Sequence, residues 1–253
     1  MGKQVRAIFF DMGGTLTLRV EDKKLRRQSM KQLLALLDEK EEPDAFYKSL
    51  SERFQAYKRW SSETMIEAPE KEIWTYWILP DQPAEKIEPL IKQLDQLWRK
   101  IQGRRVLRPD CRQVLGKLVR RGYCLSVISN TTSPDFVSKV LKEYGLAEYF
   151  SSVVLSSIFG RRKPNPEIFF EAVQRAGVEP GQSAYIGDQP GRDIAGPRLA
   201  GFALSILIGD NDSSGLEQND PLLKPDIVIH KLSELLNIFA PLKSADKQGL
   251  KNG

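Results

Sequence analysis

The stretch Val5-Arg6-Ala7-Ile8-Phe9-Phe10-Asp11-Met12-Gly13-Gly14-Thr15-Leu16 decides how this chain is read. A short run rich in β-formers ends abruptly in a carboxylate, and the glycine pair that follows must turn the chain sharply. The pattern predicts a buried strand over residues 5–10 that delivers Asp11 to a loop. Working outward, the segment after Gly103 alternates between helical spacing and short apolar runs. Strands are expected at 124–128, 153–155, 184–186, 203–208 and 227–229. The helices between them carry end signals. One stops at Gly122, one has Ser133 as N-cap, Pro134 in its first turn and Gly145 as C-cap, and one opens at Asn165-Pro166 and ends at Gly177. Strands alternating with helices of this length predict an α/β fold: a parallel sheet with helices on both faces.

Between these stretches, residues 21–101 show helical spacing only, punctuated by Pro43, Pro69 and Pro83 into about four helices. An all-helical domain is therefore inserted into the α/β core. The expected boundaries are 1–17 and 105–243 for the core, 18–104 for the insert, and 244–253 for a short polar tail read as flexible. The crossings at 17–20 and 102–105 are the expected hinges. All four tryptophans, Trp60, Trp74, Trp77 and Trp98, fall within the insert and are read as its core, with one or two available to line a face above Asp11.

At 253 residues, with 41% hydrophobic and 28% charged residues, the chain has the composition of a globular protein able to bury a substantial core. The net charge of +5 spreads 38 Lys and Arg among 33 Asp and Glu without a basic arm, so no nucleic-acid partner is implied. Cys111 and Cys124 make no disulfide framework or metal knuckle and are read as reduced, buried thiols. The first ten residues are too short an apolar run for a signal segment or a membrane span, so no membrane partner is expected and the location read is cytoplasmic.

Ligands of open parallel sheets bind beyond the carboxyl ends of the strands. Four places there carry polar groups: Asp11 after the first strand, Ser129 and Asn130 after the second, Lys163 in a loop, and Asp188 after the 184–186 strand. A carboxylate can attack phosphorus only if the repulsion between two anions is neutralised. A bound divalent cation does this, with Asp11 and Asp188 as hard oxygen ligands. Lys163 adds a fixed positive charge and Ser129 a hydroxyl donor to a phosphoryl oxygen.

Together these segments resemble the haloacid dehalogenase-like hydrolase superfamily: Asp11-Met12-Gly13-Gly14-Thr15-Leu16, Ser129-Asn130, Lys163-Pro164-Asn165-Pro166, and Gly187-Asp188 followed by Asp193, in that order. The resemblance spans about residues 5–201, with the helical insert where that family places its cap. It implies a Rossmann-like core and Asp11 as nucleophile. Ser129, Asn130 and Lys163 would bind the phosphoryl group, and Asp11, the carbonyl of Gly13 and Asp188 would hold Mg2+. Asp193 would support the metal shell or orient Lys163, although it could instead cap the helix that follows. Thr15 is read as holding the loop. The implied ligand is a small phosphorylated molecule.

Position 13 departs from the family's phosphatases, which carry there a second Asp that protonates the leaving oxygen and then deprotonates the attacking water. A positioned acid–base group contributes about 10² to 10⁴ in rate. With Gly13, slow turnover or a bias toward good leaving groups is expected, such as anhydrides, acyl phosphates and aryl phosphates. Two other readings stay open: a catalytically weak phosphate-binding or regulatory protein, and a phosphonate or haloacid hydrolase. Phosphonate-cleaving relatives use a small residue at position 13 together with a cap lysine, but no insert lysine stands out. Arg161 and Arg162 are read as solvated loop charges, with recognition of a second anionic group as the alternative. Arg99, Lys100, Arg104 and Arg105 near the hinge are read the same way. His230, the sole histidine, has no catalytic partner and is read as structural.

Overall fold

A computed structural model describes residues 4–209 and 220–243. The tail at 244–253, read as flexible, lies outside the described residues. Strand β1 (Ala7–Phe10) is buried along its whole length, and its side chains alternate between the two faces of the sheet. Ile8 and Phe10 join one apolar cluster, while Ala7 and Phe9 join another on the opposite face. Both neighbours of β1 are parallel: β4 (Cys124–Ser129), with Phe10 opposite Val127, and β6 (Ser183–Gly187), with Phe10 opposite Ile186. Adding β5 (Ser152–Leu155), β7 (Leu204–Ile208) and β8 (Ile227–Ile229) gives one parallel sheet of order β5-β4-β1-β6-β7-β8. All six expected strands are present, each within a few residues of its expected bounds.

Helices cover both faces. On one side α6 (Cys111–Arg120), α7 (Phe136–Glu143) and α10 (Leu235–Ile238) contribute to the cluster containing Ile8. On the other, α9 (Pro166–Arg175) packs against β4 and β5 through the cluster containing Phe9. Its ends are those read from the sequence: the Asn165 side chain accepts from Glu167 N at 2.8 Å, and Gly177 takes φ +63° past the last turn. Helix α7 begins later than expected. Thr131 and Ser133 satisfy one another in a local turn, Ser133 N donating to Thr131 Oγ1 at 3.3 Å, so the chain stays non-helical until Phe136.

The insert holds α1 (Lys23–Leu37), α2 (Pro43–Thr64), α3 (Glu70–Glu72) running on as a π-helical turn (Ile73–Ile78), α4 (Ala84–Ile87) and α5 (Ile91–Ile101). Its apolar residues form a cluster of their own, with Trp74 and Trp98 buried and Trp60 and Trp77 packed against it. Phe54 and Trp98 stack with centroids 4.3 Å apart.

The two crossings, expected as hinges, are paired with each other. β2 (Thr17–Val20) and β3 (Arg104–Leu107) pair antiparallel, so both connections run as one hydrogen-bonded ribbon that sets Arg19 opposite Arg105. A second attachment lies farther along the insert. Arg162 N donates to Met65 O at 2.9 Å and Glu67 N to Gly160 O at 3.0 Å, joining the segment after α2 to the loop after α8 (Ser156–Phe159). Of the two cysteines only Cys111 is buried. Cys124, the first residue of β4, is half-buried at the sheet's amino-terminal edge. No helix among the described residues is long and apolar enough to cross a membrane.

Candidate active site

The parallel sheet brings the sequence-selected residues together at its carboxyl edge. Asp11 follows β1 between the two strands that flank it, its N–H donating to Ile186 O at 2.9 Å, and it is only 4% exposed. Ser129 closes β4, and Asp188 comes directly after β6. Lys163, 2% exposed, reaches into this group and spends its three protons on three acceptors: Asp11 Oδ1 at 2.7 Å, Asp193 Oδ1 at 2.7 Å and Tyr185 Oη at 2.6 Å. Asn130 uses both ends of its amide on Lys163's main chain, donating to its carbonyl at 3.0 Å and accepting from its N–H at 2.9 Å.

Asp193 is fully buried, and its Oδ2 also accepts from Gln189 N at 3.1 Å. It therefore faces Lys163 with one oxygen and, with the other, meets the N–H of Gln189, the residue that opens the helical turn Pro190–Ile194. Thr15 does not hold the loop as expected. Its hydroxyl is buried without a hydrogen bond, and the turn is fastened by Thr17, whose Oγ1 and N–H both donate to Met12 O, at 3.2 and 3.0 Å. Gly14 is the residue that must lack a side chain. It has φ +87°, and a Cβ there would lie 2.1 Å from Asp188 Oδ2.

Three carboxylates share the Lys163 ammonium, which bonds two of them, and the nearby charge of Arg192. Burial makes the remaining imbalance costly. Burial pushes the Asp11 carboxyl up to about 6 against the pull of Lys163, and burial and then Asp193 raise Asp188. Burial and the charges of Asp193 and Asp11 hold the Tyr185 hydroxyl far above its ordinary range, so it stays a neutral partner of Lys163. Asp188 Oδ1 is buried with no hydrogen-bond partner. Asp11, Asp188 and Asp193 each offer an oxygen, all within 4.8 Å of one another. An orphaned carboxylate oxygen in an all-oxygen, anionic donor set suits a hard divalent cation.

Some neighbours were not legible beforehand. Tyr185 is hidden in an apolar strand. Arg162 is no solvated charge: it is buried and paired with Glu67, which also accepts from the Tyr57 hydroxyl and from Ser156 Oγ at 2.5 Å. Arg161, by contrast, is half-buried and pairs with the exposed Glu167 at 3.3 Å. Arg105 lies against Gly13, and Lys58 of α2 faces a group of cations comprising Arg19, Arg162, Arg192 and Arg105. Register in the ribbon brings Arg19 and Arg105 there and the fold of the insert brings Lys58, whereas Arg162 and Arg192 come from the core.

The family model for haloacid dehalogenase-like hydrolases matches residues 5–201, which include every residue of this cluster. The chain belongs to that family. Among relatives, a phosphoserine phosphatase of Thermus thermophilus is 33% identical over 144 residues, covering 57% of this chain and 55% of its own. A glyceraldehyde 3-phosphate phosphatase of Methanopyrus kandleri is 31% identical over 134 residues, covering 53% and 57%. The match therefore spans little more than half the length of either relative. Among solved structures, a 2-haloacid dehalogenase from Pseudomonas syringae superposes with a TM-score of 0.68 over 93% of this chain and 98% of its own, at 21% identity, a likeness of fold.

Proposed function

We propose that this haloacid dehalogenase-like hydrolase is a magnesium-dependent phosphohydrolase that works through an aspartyl phosphate on Asp11. The observation that carries the reading is the grouping of Asp11, Asp188 and Asp193 around Lys163, with one buried carboxylate oxygen left unpaired. The family match and the phosphatase relatives support the same reaction class. Asp11, Asp188 and the carbonyl of Gly13 would hold magnesium, which when bound supplies the positive charge that lets a carboxylate approach a phosphate.

In this reading the Asp11 carboxylate attacks phosphorus and the bond to the leaving oxygen breaks. Lys163 and the Ser129 hydroxyl take the charge on the phosphoryl oxygens. Water then attacks phosphorus, releasing phosphate and restoring Asp11. Asp193 and Tyr185 fix the Lys163 ammonium, and Asn130 fixes its backbone, so their roles are to position it. Gly13 supplies no proton to the leaving group, so substrates with good leaving groups turn over best. The insert serves as a cap over the strand ends and excludes water during the attack.

A panel of phosphate esters and anhydrides, with and without magnesium, tests the reading. The expected result is magnesium-dependent phosphate release that is fastest on acyl and aryl phosphates and lost in Asp11→Asn. Failure of the folded protein on every member would sink it, and binding of phosphate compounds without turnover would favour a binding protein.

A further inference from the structure

The space beside Gly13 is taken by an arginine. A Cβ built on Gly13 would lie 3.2 Å from Arg105 Nη1, 3.6 Å from Nη2 and 3.7 Å from Cζ. Arg105 stands directly opposite Arg19 in the β2–β3 ribbon, and like charges facing each other on an antiparallel pair repel. Neither makes an ion pair with an acidic side chain among the described residues, although the charges of Asp11 and Asp188 reach Arg105. Arg19 reaches only the neutral Gln102 Oε1, at 3.3 Å, and the Arg105 guanidinium, half-buried, makes no hydrogen bond or ion pair; only its carbonyl is engaged, by Tyr144 Oη at 2.7 Å. The Lys58 ammonium makes no hydrogen bond or ion pair among the described residues, and the charges of Arg19, Arg162, Arg192 and Arg105 act against it. Burial and then the neighbouring arginines hold both Lys58 and Arg105 below their ordinary ranges, and for Arg105 the charges of Asp11 and Asp188 offset only part of this. Arg162 shows the contrast, since the fold supplies it with a buried glutamate.

Displacement at phosphorus keeps the attacking and leaving oxygens roughly in line. The leaving group therefore departs from phosphorus on the side opposite Asp11, away from the strand ends, and the Arg105 guanidinium, beside Gly13 two residues after Asp11, is placed to meet it. Guanidinium forks match carboxylate and phosphate oxygens two at a time. Resting on the phosphohydrolase reading above, we propose that Arg105, with Arg19 and Lys58, binds a second anionic group on the leaving-group half of the substrate. The physiological substrate is then a small phosphorylated compound that carries a carboxylate or a second phosphate close to the scissile bond.

The test compares phenyl phosphate, 3-carboxyphenyl phosphate and benzene-1,3-diyl bisphosphate in the presence of magnesium. A hydrogen-bonded charge of this kind is worth about 10- to 150-fold. The expected ratio of kcat/KM, charged ester over phenyl phosphate, is in that range for the wild type and falls to about threefold or less in Arg105→Ala and in Lys58→Ala. Added guanidinium should restore part of the ratio in Arg105→Ala, which a merely structural role for the arginine would not allow. Whichever charged ester is preferred distinguishes carboxylate from phosphate. Calorimetric binding of the same three esters to Asp11→Asn reads the preference without turnover. Hydrolysis of none of the esters would sink the phosphohydrolase reading, and the binding ratio alone would then decide the proposal. A wild-type ratio near one in both measurements, or a ratio unchanged by Arg105→Ala, overturns it.

Discussion

Gly13→Asp restores a carboxylate two residues after Asp11, and Arg105 determines what that carboxylate can do. Gly13 is not among the residues with positive φ, so its backbone accepts a side chain. The nearest obstacle is Arg105 Nη1, 3.2 Å from the new Cβ, the far end of a flexible chain that can give way. The new carboxylate then lies beside a guanidinium, and an opposite charge that close lowers a carboxyl pKa by about 1 to 3 units. A leaving group needs the protonated acid, so each unit removes about tenfold of the active form at neutral pH. Against a possible gain of about 10² to 10⁴, Gly13→Asp alone should raise kcat/KM on ethyl phosphate by only about tenfold. In the Arg105→Ala background the same substitution should gain about 100-fold or more. The assay is magnesium-dependent phosphate release from ethyl phosphate by the four proteins of this cycle, each checked for folding by circular dichroism. A gain that is larger with Arg105 present than without it, or no gain in either background, would refute the reasoning.

The buried Glu67–Arg162 pair joins insert to core, and Glu67→Gln leaves the Arg162 guanidinium without a counter-charge. Breaking such a pair from one side costs about 3 to 5 kcal/mol, or about 6 to 20 °C in Tm for a domain this size, and a calorimetric shift under about 2 °C contradicts it. Magnesium affinity should climb as pH rises through about 6, because the protonated Asp11 carboxyl cannot ligate; a magnesium-induced Tm increase equal at pH 5 and pH 7.5 contradicts this. In the metal-free protein the same raised carboxyl acts in the other direction. Its contribution to stability is present below the unfolded value and lost as pH rises through about 6. Burial pushes the Cys111 thiol up to about 12, so a thiol reagent should modify half-buried Cys124 first and reach Cys111 only on unfolding; equal rates in the native protein would contradict this.

The six core strands were legible because each is an apolar run bounded by turn residues, and the run before Asp11 is enough to set that residue at the carboxyl edge. The glycines after α7 and α9 were legible for the same local reason. The ribbon was not, because Thr17–Val20 and Arg104–Leu107 are only four residues each and carry charge where a strand signal needs alternation. The same limit hid Arg105, whose importance comes from its register opposite Arg19 and its approach to Gly13. Tyr185 reads as one more apolar residue of a buried strand, and only its hydroxyl's contact with Lys163 sets it apart. Glu67 and Arg162 are far apart in sequence, so nothing local marks either as half of a buried pair. Motif residues were found through their sequence context, while residues that act through tertiary contact were not.

The central claim is that Asp11 itself carries the phosphoryl group. Rapid acid quenching of the protein with labelled acetyl phosphate, followed by peptide mapping, tests it most directly. The account predicts a magnesium-dependent, hydroxylamine-labile label on the peptide containing Asp11, absent from Asp11→Asn. Turnover of acetyl phosphate with no label on that peptide, or a label that persists in Asp11→Asn, would contradict it.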